Sequence, residues 1–261
     1  MKFPRIIYYK DELNDEFAGD SIKPRPIDEK YWYGDNSFFF RSMRFFWYRI
    51  FAFPIAFAFL KIKYHHKIVN RSVLRSFKNK SIFVFANHTN NIADALIPSF
   101  VSFPHSTFIV VNANNVSMPV LGKITPYLGA LPLPDNMTAT KNFLNTLKLR
   151  ISQGSSIMIY PEAHIWPFYT KIRPFTDSSF RYPIQNNCAT FCFTNTYQKR
   201  RFSKTPKIVT YVDGPFFADE TLGKKEKQAD LRNKVYETMC SRSKMNNVEM
   251  IQYIKQEEAE V

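Results

Sequence analysis

The sequence predicts an α/β protein with a largely parallel central sheet flanked by helices, preceded by an apolar helical segment that associates with a membrane. Three observations carry this reading. Short apolar runs of β-branched and aromatic residues alternate with helix-patterned stretches. Two of those runs, at residues 83–86 and 157–160, break into polar residues able to do chemistry: Asn87, His88 and Asp94 after the first, Glu162 and His164 after the second. The most apolar stretch, residues 38–60, runs directly into a block of bases.

With 261 residues the chain can hold one good-sized core with terminal additions. Residues 1–37 are polar and interrupted by Pro4, Pro24 and Pro26, which predicts an extended arm wrapped on the domain or a partly disordered stretch. Residues 38–80 form the membrane-associating part. Within it, residues 50–60 are the longest uncharged run, 11 residues against the ~20 a spanning helix needs, so an ordinary span is not expected. Arg41, Arg44 and Tyr48 follow helical spacing with an aromatic face opposite, which suits a helix in the headgroup region; Pro54 is expected to kink a second segment. Residues 61–80 then carry seven Lys or Arg and no acid, the pattern that attracts anionic lipid at roughly 1 kcal/mol per charge.

Residues 81–215 read as the α/β core. Strands are expected at 81–86, 107–111, 156–160, 189–194 and 207–212. Helices are expected at 91–101 and, capped by Thr138 and closed by Gly154, at 138–152, with a short helix or loop at 118–128. Residues 216–261 are charged, and 219–242 and 248–258 read as surface helices.

The formal charge of +14 sits almost wholly in the middle of the chain: residues 41–223 hold 22 bases and 7 acids. Such a surface suits anionic lipids or phosphorylated substrates. Nucleic acid is not expected as a partner, because no zinc-finger, helix-turn-helix or RNA-binding signature accompanies the charge. Three cysteines without a CxxC predict neither a disulfide framework nor a zinc site. The polar first 30 residues, with seven acids, do not read as a signal peptide, so a cytoplasmic setting is expected.

Both polar clusters fall at carboxyl ends of expected strands, where open α/β sheets bind ligands. His88 has Asp94 within reach in the following helix. A carboxylate on one imidazole nitrogen fixes the tautomer and leaves the other nitrogen free to take a proton from a hydroxyl. No Gly-x-Ser-x-Gly elbow occurs, so the nucleophile is expected to be the substrate's own hydroxyl. His164 also invites a metal reading with His88, Asp94 and Glu162. No pair among them has the i, i+4 spacing of a helical metal site, and no metal is expected.

The stretch Asn87-His88-Thr-Asn-Asn-Ile-Ala-Asp94 resembles the first motif of the glycerolipid acyltransferases, the 1-acyl-sn-glycerol-3-phosphate acyltransferase family, and Tyr160-Pro-Glu-Ala-His164 is similar to its Phe-Pro-Glu-Gly-Thr-Arg motif. Residues 118–132 resemble the Pro, Gly, Gly, Pro segment between them. Three departures stand out. Five residues, not four, separate His88 from Asp94; Ala163, His164 and Ile165 replace Gly, Thr and Arg; and Asp135 stands where an Arg belongs. The resemblance implies His88 and Asp94 as catalytic residues and Glu162 as an acceptor contact. Asn87 and His164 are expected beside them as substrate-binding residues, His164 as a polar wall, and Lys171 and Arg173 just downstream are expected to supply the charge of the missing arginines at the acceptor phosphate. The resemblance also implies acyl transfer from acyl-CoA or acyl-carrier protein as co-substrate to a lysophospholipid such as 1-acylglycerol-3-phosphate, on the cytoplasmic face of the cell membrane, with no other cofactor. A lipid hydrolase using the same residues and a non-catalytic basic membrane binder are the alternatives.

Overall fold

The computed structural model describes residues 5–17 and 22–256. In chain order the elements are β1 (Arg5–Tyr9), α1 (Phe38–Arg44), a π-helical stretch Phe45–Ala52, α2 (Phe53–Tyr64), β2 (Lys67–Val69), β3 (Ile82–Ala86), α3 (Ala93–Val101), β4 (Thr107–Val111), α4 (Ala113–Ser117), α5 (Leu121–Leu128), β5 (Ala130–Pro132), α6 (Met137–Ser152), β6 (Ser156–Ile159), α7 (Arg181–Gln185), β7 (Ala189–Arg200), β8 (Ser203–Phe216), α8 (Lys224–Ser243) and β9 (Ile251–Lys255). Seven strands form one sheet in the order β2-β8-β7-β3-β6-β4-β5, parallel throughout except for the β7–β8 hairpin.

Strand β3 sits in the middle, and all five of its residues are buried. Phe83 and Phe85 point into a core shared with Phe143 and Leu147 of α6 and Leu231, Val235 and Met239 of α8. Ile82, Val84 and Ala86 point the other way, onto Leu60 and Tyr64 of α2 and Ile97 and Val101 of α3. Alternating side chains buried on both faces make a continuous apolar run, as a central parallel strand requires. Each buried Phe contributes roughly 1.5–3 kcal/mol.

Residues 38–64 form a single 27-residue helix, long and apolar enough to cross a membrane by length and composition. Where a second segment kinked at Pro54 is expected, one continuous helix is found. Pro54 occupies the first turn of α2, and the helix runs through it because the preceding turn is wide: the Phe53 N–H bonds the Tyr48 carbonyl, five residues back. The π turn also has a packing consequence. Phe40, Arg44, Tyr48, Ala56, Leu60 and Tyr64, spaced by four or eight, are all buried against the domain. Four residues of α-helix overshoot a full turn by about 40°. The wider π turn rotates less per residue and brings the stripe back onto one face. Phe38, Phe39, Phe45, Phe46, Ile50, Phe51, Ile55, Phe57 and Ile62 are left exposed.

Other expectations differ in detail. Asn136, not Thr138, caps α6, accepting from the Ala139 N–H at 2.8 Å. Residues 248–256 are not helical: Ile251–Lys255 is a strand, β9, paired in parallel with β1. Its charge pattern resembles a surface helix, but a partner strand at the other end of the chain decides its conformation. Within residues 22–37, Ile27 is fully buried, its N–H donates to Asp135 at 2.7 Å, and Tyr33 donates to the Pro132 carbonyl at 2.9 Å. Asp135, out of place as an arginine substitute, therefore fastens the arm. The reading of residues 1–4, 18–21 and 257–261 lies outside the described residues.

Candidate active site

The carboxyl end of β3 carries the chain into a loop, Thr89–Ile92, before α3 begins at Ala93. Asp94 lies in the first turn of α3, where a carboxylate is favoured by unsatisfied N–H groups. Its Oδ2 accepts from the Thr89 N–H at 2.7 Å, the Asn90 N–H at 2.8 Å and His88 Nδ1 at 2.9 Å. The loop thus absorbs the extra residue between His88 and Asp94, and Asn90 turns its side chain elsewhere: Oδ1 accepts from the Ala93 N–H at 2.9 Å. The imidazole stacks on Tyr160 at 4.2 Å, and the Tyr160 hydroxyl donates to the Asp94 backbone carbonyl at 2.5 Å. Burial and the nearby Asp94 charge push the Tyr160 hydroxyl well above its usual pKa, so it remains a donor. With Nδ1–H on the carboxylate, Nε2 carries the lone pair. It has no hydrogen-bond partner among the described residues, and the ring is 17% exposed.

Behind this pair lies a buried polar chain that the sequence did not point to. His66 Nε2 donates to Thr210 at 2.8 Å, Thr210 donates to Asn195 Oδ1 at 2.6 Å, and Asn195 Nδ2 reaches Asp94 Oδ1 at 3.4 Å. The only hint is Thr194-Asn195-Thr196, three polar residues inside an apolar strand. Burial, and secondarily Lys61, depresses His66 to a pKa of about 4, so it is neutral.

The substrate contacts inferred from sequence fare differently. Asn87 is fully engaged by a neighbouring strand: Oδ1 accepts from the Asn195 N–H at 2.8 Å and Nδ2 donates to its carbonyl at 3.0 Å. It ties the end of β3 to β7. Glu162 is also buried. Its Oε2 accepts from the His88 N–H and its Oε1 from the Arg173 N–H, each at 3.0 Å. Arg173 is 1% exposed, its guanidinium lies 3.6 Å from Glu162 Oε2, and it donates to the carbonyls of Glu12, Glu162 and His164. The pair is an internal clamp on the backbone at position 88, not a surface phosphate grip. Burial pushes the Glu162 carboxyl up, against the pull of Arg173, and lowers the Arg173 guanidinium, so desolvation is the larger effect on both.

His164 faces the N-terminal arm, with Nδ1 3.3 Å from Glu16. Lys171 is exposed and stands alone as the free charge of its segment. Among the described residues no three His, Cys, Asp or Glu side chains gather as a metal site would require. Ala163 has φ of +63°, in the left-handed region where Gly rests without strain, which accounts for Gly at the equivalent motif position.

The family model described as Acyltransferase matches residues 61–192, half of the chain, and that span contains both polar clusters. The fold is similar to the crystal structure of PlsC, a 1-acyl-sn-glycerophosphate (LPA) acyltransferase from Thermotoga maritima, with a TM-score of 0.52, 15% identity, and 80% of this chain and 81% of that one covered. No curated protein sequence matches this one. By the family match over residues 61–192, this chain belongs to the acyltransferase family and is an acyltransferase.

Proposed function

We propose that the protein transfers a fatty acyl group to the hydroxyl of a lysophospholipid, with His88 as general base. The observation that supports this most directly is the 2.9 Å contact from His88 Nδ1 to Asp94 with Nε2 left without a protein partner. Nε2 takes the proton of the acceptor hydroxyl as its oxygen attacks the carbonyl of an acyl thioester. Asp94 holds the tautomer and stabilises the imidazolium that forms. Collapse of the tetrahedral intermediate releases the thiol of acyl-CoA or acyl-carrier protein, which takes up the proton held by His88. The sulfur needs no metal to leave.

An acceptor of the 1-acylglycerol-3-phosphate class fits the basic middle of the chain, and of the two side chains assigned to its phosphate the exposed Lys171 remains. The exposed aromatic face of residues 38–64 supports seating on a bilayer. A helix whose other face is packed on the domain along its length lies on the membrane and does not span it. The cytoplasmic face follows from the basic residues beside it.

The test is a radiolabelled-acyl assay against a panel of lyso-lipids, comparing the intact enzyme with His88→Ala. A loss of at least about 10²-fold is expected, the usual worth of a general base. Near-normal transfer by the variant would overturn the mechanism, and acyl release without an acceptor alcohol would favour hydrolysis instead.

A further inference from the structure

A second site lies at the opposite end of the sheet. A cavity of about 470 Å³ opens where the helical segment of residues 38–49 meets the amino ends of β4 and β6. Its volume falls within the ~300–1,000 Å³ of small-molecule sites. Four arginines line it, Arg41, Arg44 and Arg49 from the helix and Arg150 from the end of α6, together with Ser106 and Ser155. No Asp or Glu lines it, and none of the four forms an ion pair among the described residues.

Three of the four are held in place by neutral groups, and Arg41 is exposed. Arg44 donates to the carbonyls of Tyr127 and Thr107 at 2.9 and 3.0 Å and lies over Phe108 at 4.0 Å. Arg150 donates to the carbonyls of Gly34, Tyr33 and Asp35 and to Gln153. Arg49 donates to those of Pro104 and His105. Arg49 Nη1 and Arg150 Nε are buried without an acceptor, as is the Ser155 hydroxyl. The nearest carboxylate, Asp35, is turned to Ser37. Burial lowers Arg44 and Arg150 to about 10, and Arg49 and Arg150 push Arg44 the same way. Asp35 offsets part of this for Arg150, but no carboxylate forms an ion pair with any of the four among the described residues; burying cations beside one another in this way is expensive, and an anion in the cavity offsets that expense.

We propose that this cavity binds the phosphate of an anionic membrane lipid, away from the catalytic centre. Guanidinium groups grip phosphate oxygens in pairs, and four of them favour the most highly charged headgroup, a phosphomonoester. The membrane is the source because three of the four arginines belong to the helix whose other face is exposed and aromatic. The lipid here is not the reacting one. The five residues of β3, at ~3.3 Å each, put about 16 Å between the two ends of the sheet.

The test uses the full chain and three probes: phosphatidylcholine vesicles carrying phosphatidic acid, vesicles carrying phosphatidylglycerol at equal surface potential, and inorganic phosphate alone. The expected result is about tenfold tighter binding to the phosphatidic acid vesicles, the worth of a charge-assisted contact or more. Inorganic phosphate should compete for that binding and raise the melting temperature. R41Q/R49Q should lose both the preference and the thermal shift, while K224Q/K225Q, charge-matched on α8, keeps both. R41Q alone, at an exposed side chain, serves if the double variant does not fold, as judged by circular dichroism; it should still weaken the preference. Equal binding of the wild type to both vesicles, or an unchanged preference in the variants, would overturn the proposal. A phosphate thermal shift without any vesicle preference would overturn the lipid source in favour of a soluble phosphate.

Discussion

The two ends of the parallel sheet handle buried charge in opposite ways. At the carboxyl ends every buried ion meets its opposite or a set of N–H groups: Asp94 with His88 and two backbone donors, Glu162 with Arg173. At the amino ends Arg44 and Arg150 are as deeply buried, yet meet only carbonyls, an amide and aromatic rings. The paired end is organised for geometry, since each bond fixes the position of one backbone or ring atom around His88. The unpaired end retains a net positive field, which suits capture and not alignment.

Removing one arginine from each end separates these cases. Arg173→Met strands the Glu162 carboxylate in a buried site, and denaturant unfolding should show a loss of about 3–5 kcal/mol. A second change, Glu162→Gln, should return part of it; no recovery would break the clamp reading. His66 gives the next effect. The fold keeps its ring neutral with a pKa of about 4, whereas the unfolded chain protonates it below the usual 6.5. Its contribution is therefore complete above pH 6.5 and is lost as pH falls to about 4, by about 3 kcal/mol. His66→Gln, which retains a donor toward Thr210, should flatten that part of the stability profile; the same fall in both proteins would rule His66 out. Arg44→Met leaves two carbonyls without a donor but strands no opposite charge, so only about 1–2 kcal/mol should be lost. A loss as large as that of Arg173→Met would erase the contrast between the ends. The smallest change is Ala163→Gly, which relieves a left-handed alanine at the cost of a looser unfolded chain. A net gain of about 0.5 kcal/mol is expected, read as a higher denaturation midpoint.

What could be read from sequence was local. His88 and Asp94 lie six residues apart on a strand, loop and helix start whose patterns are all explicit, so their meeting followed from spacing and capping. The strands of the core were visible as apolar runs, though β7 and β8 extend beyond them because each shelters the other's polar residues in a hairpin. The partners of Glu162 were not legible. Arg173 reads as a phosphate contact beside Lys171, and only the turn of the chain between them shows that one points in and the other out. Asn195 was missed for the same reason: its amide matters only once β7 lies beside β3. The end of the chain was misread because a five-residue strand has no signature without its partner, and that partner is 246 residues away, with Arg5 opposite Ile251.

That long-range strand pair fastens the His88 loop from outside. Tyr253 stacks on Trp166 at 4.9 Å and donates to the Pro167 carbonyl at 3.0 Å, and Tyr9 lies on the same indole at 4.8 Å. The Trp166 and Phe168 N–H groups in turn hold the carbonyls of His88 and Thr89. Trimming either tail would therefore unclasp the other and slacken the very backbone on which the imidazole is mounted, so a short deletion far from the chemistry would reach the enzyme as lost alignment.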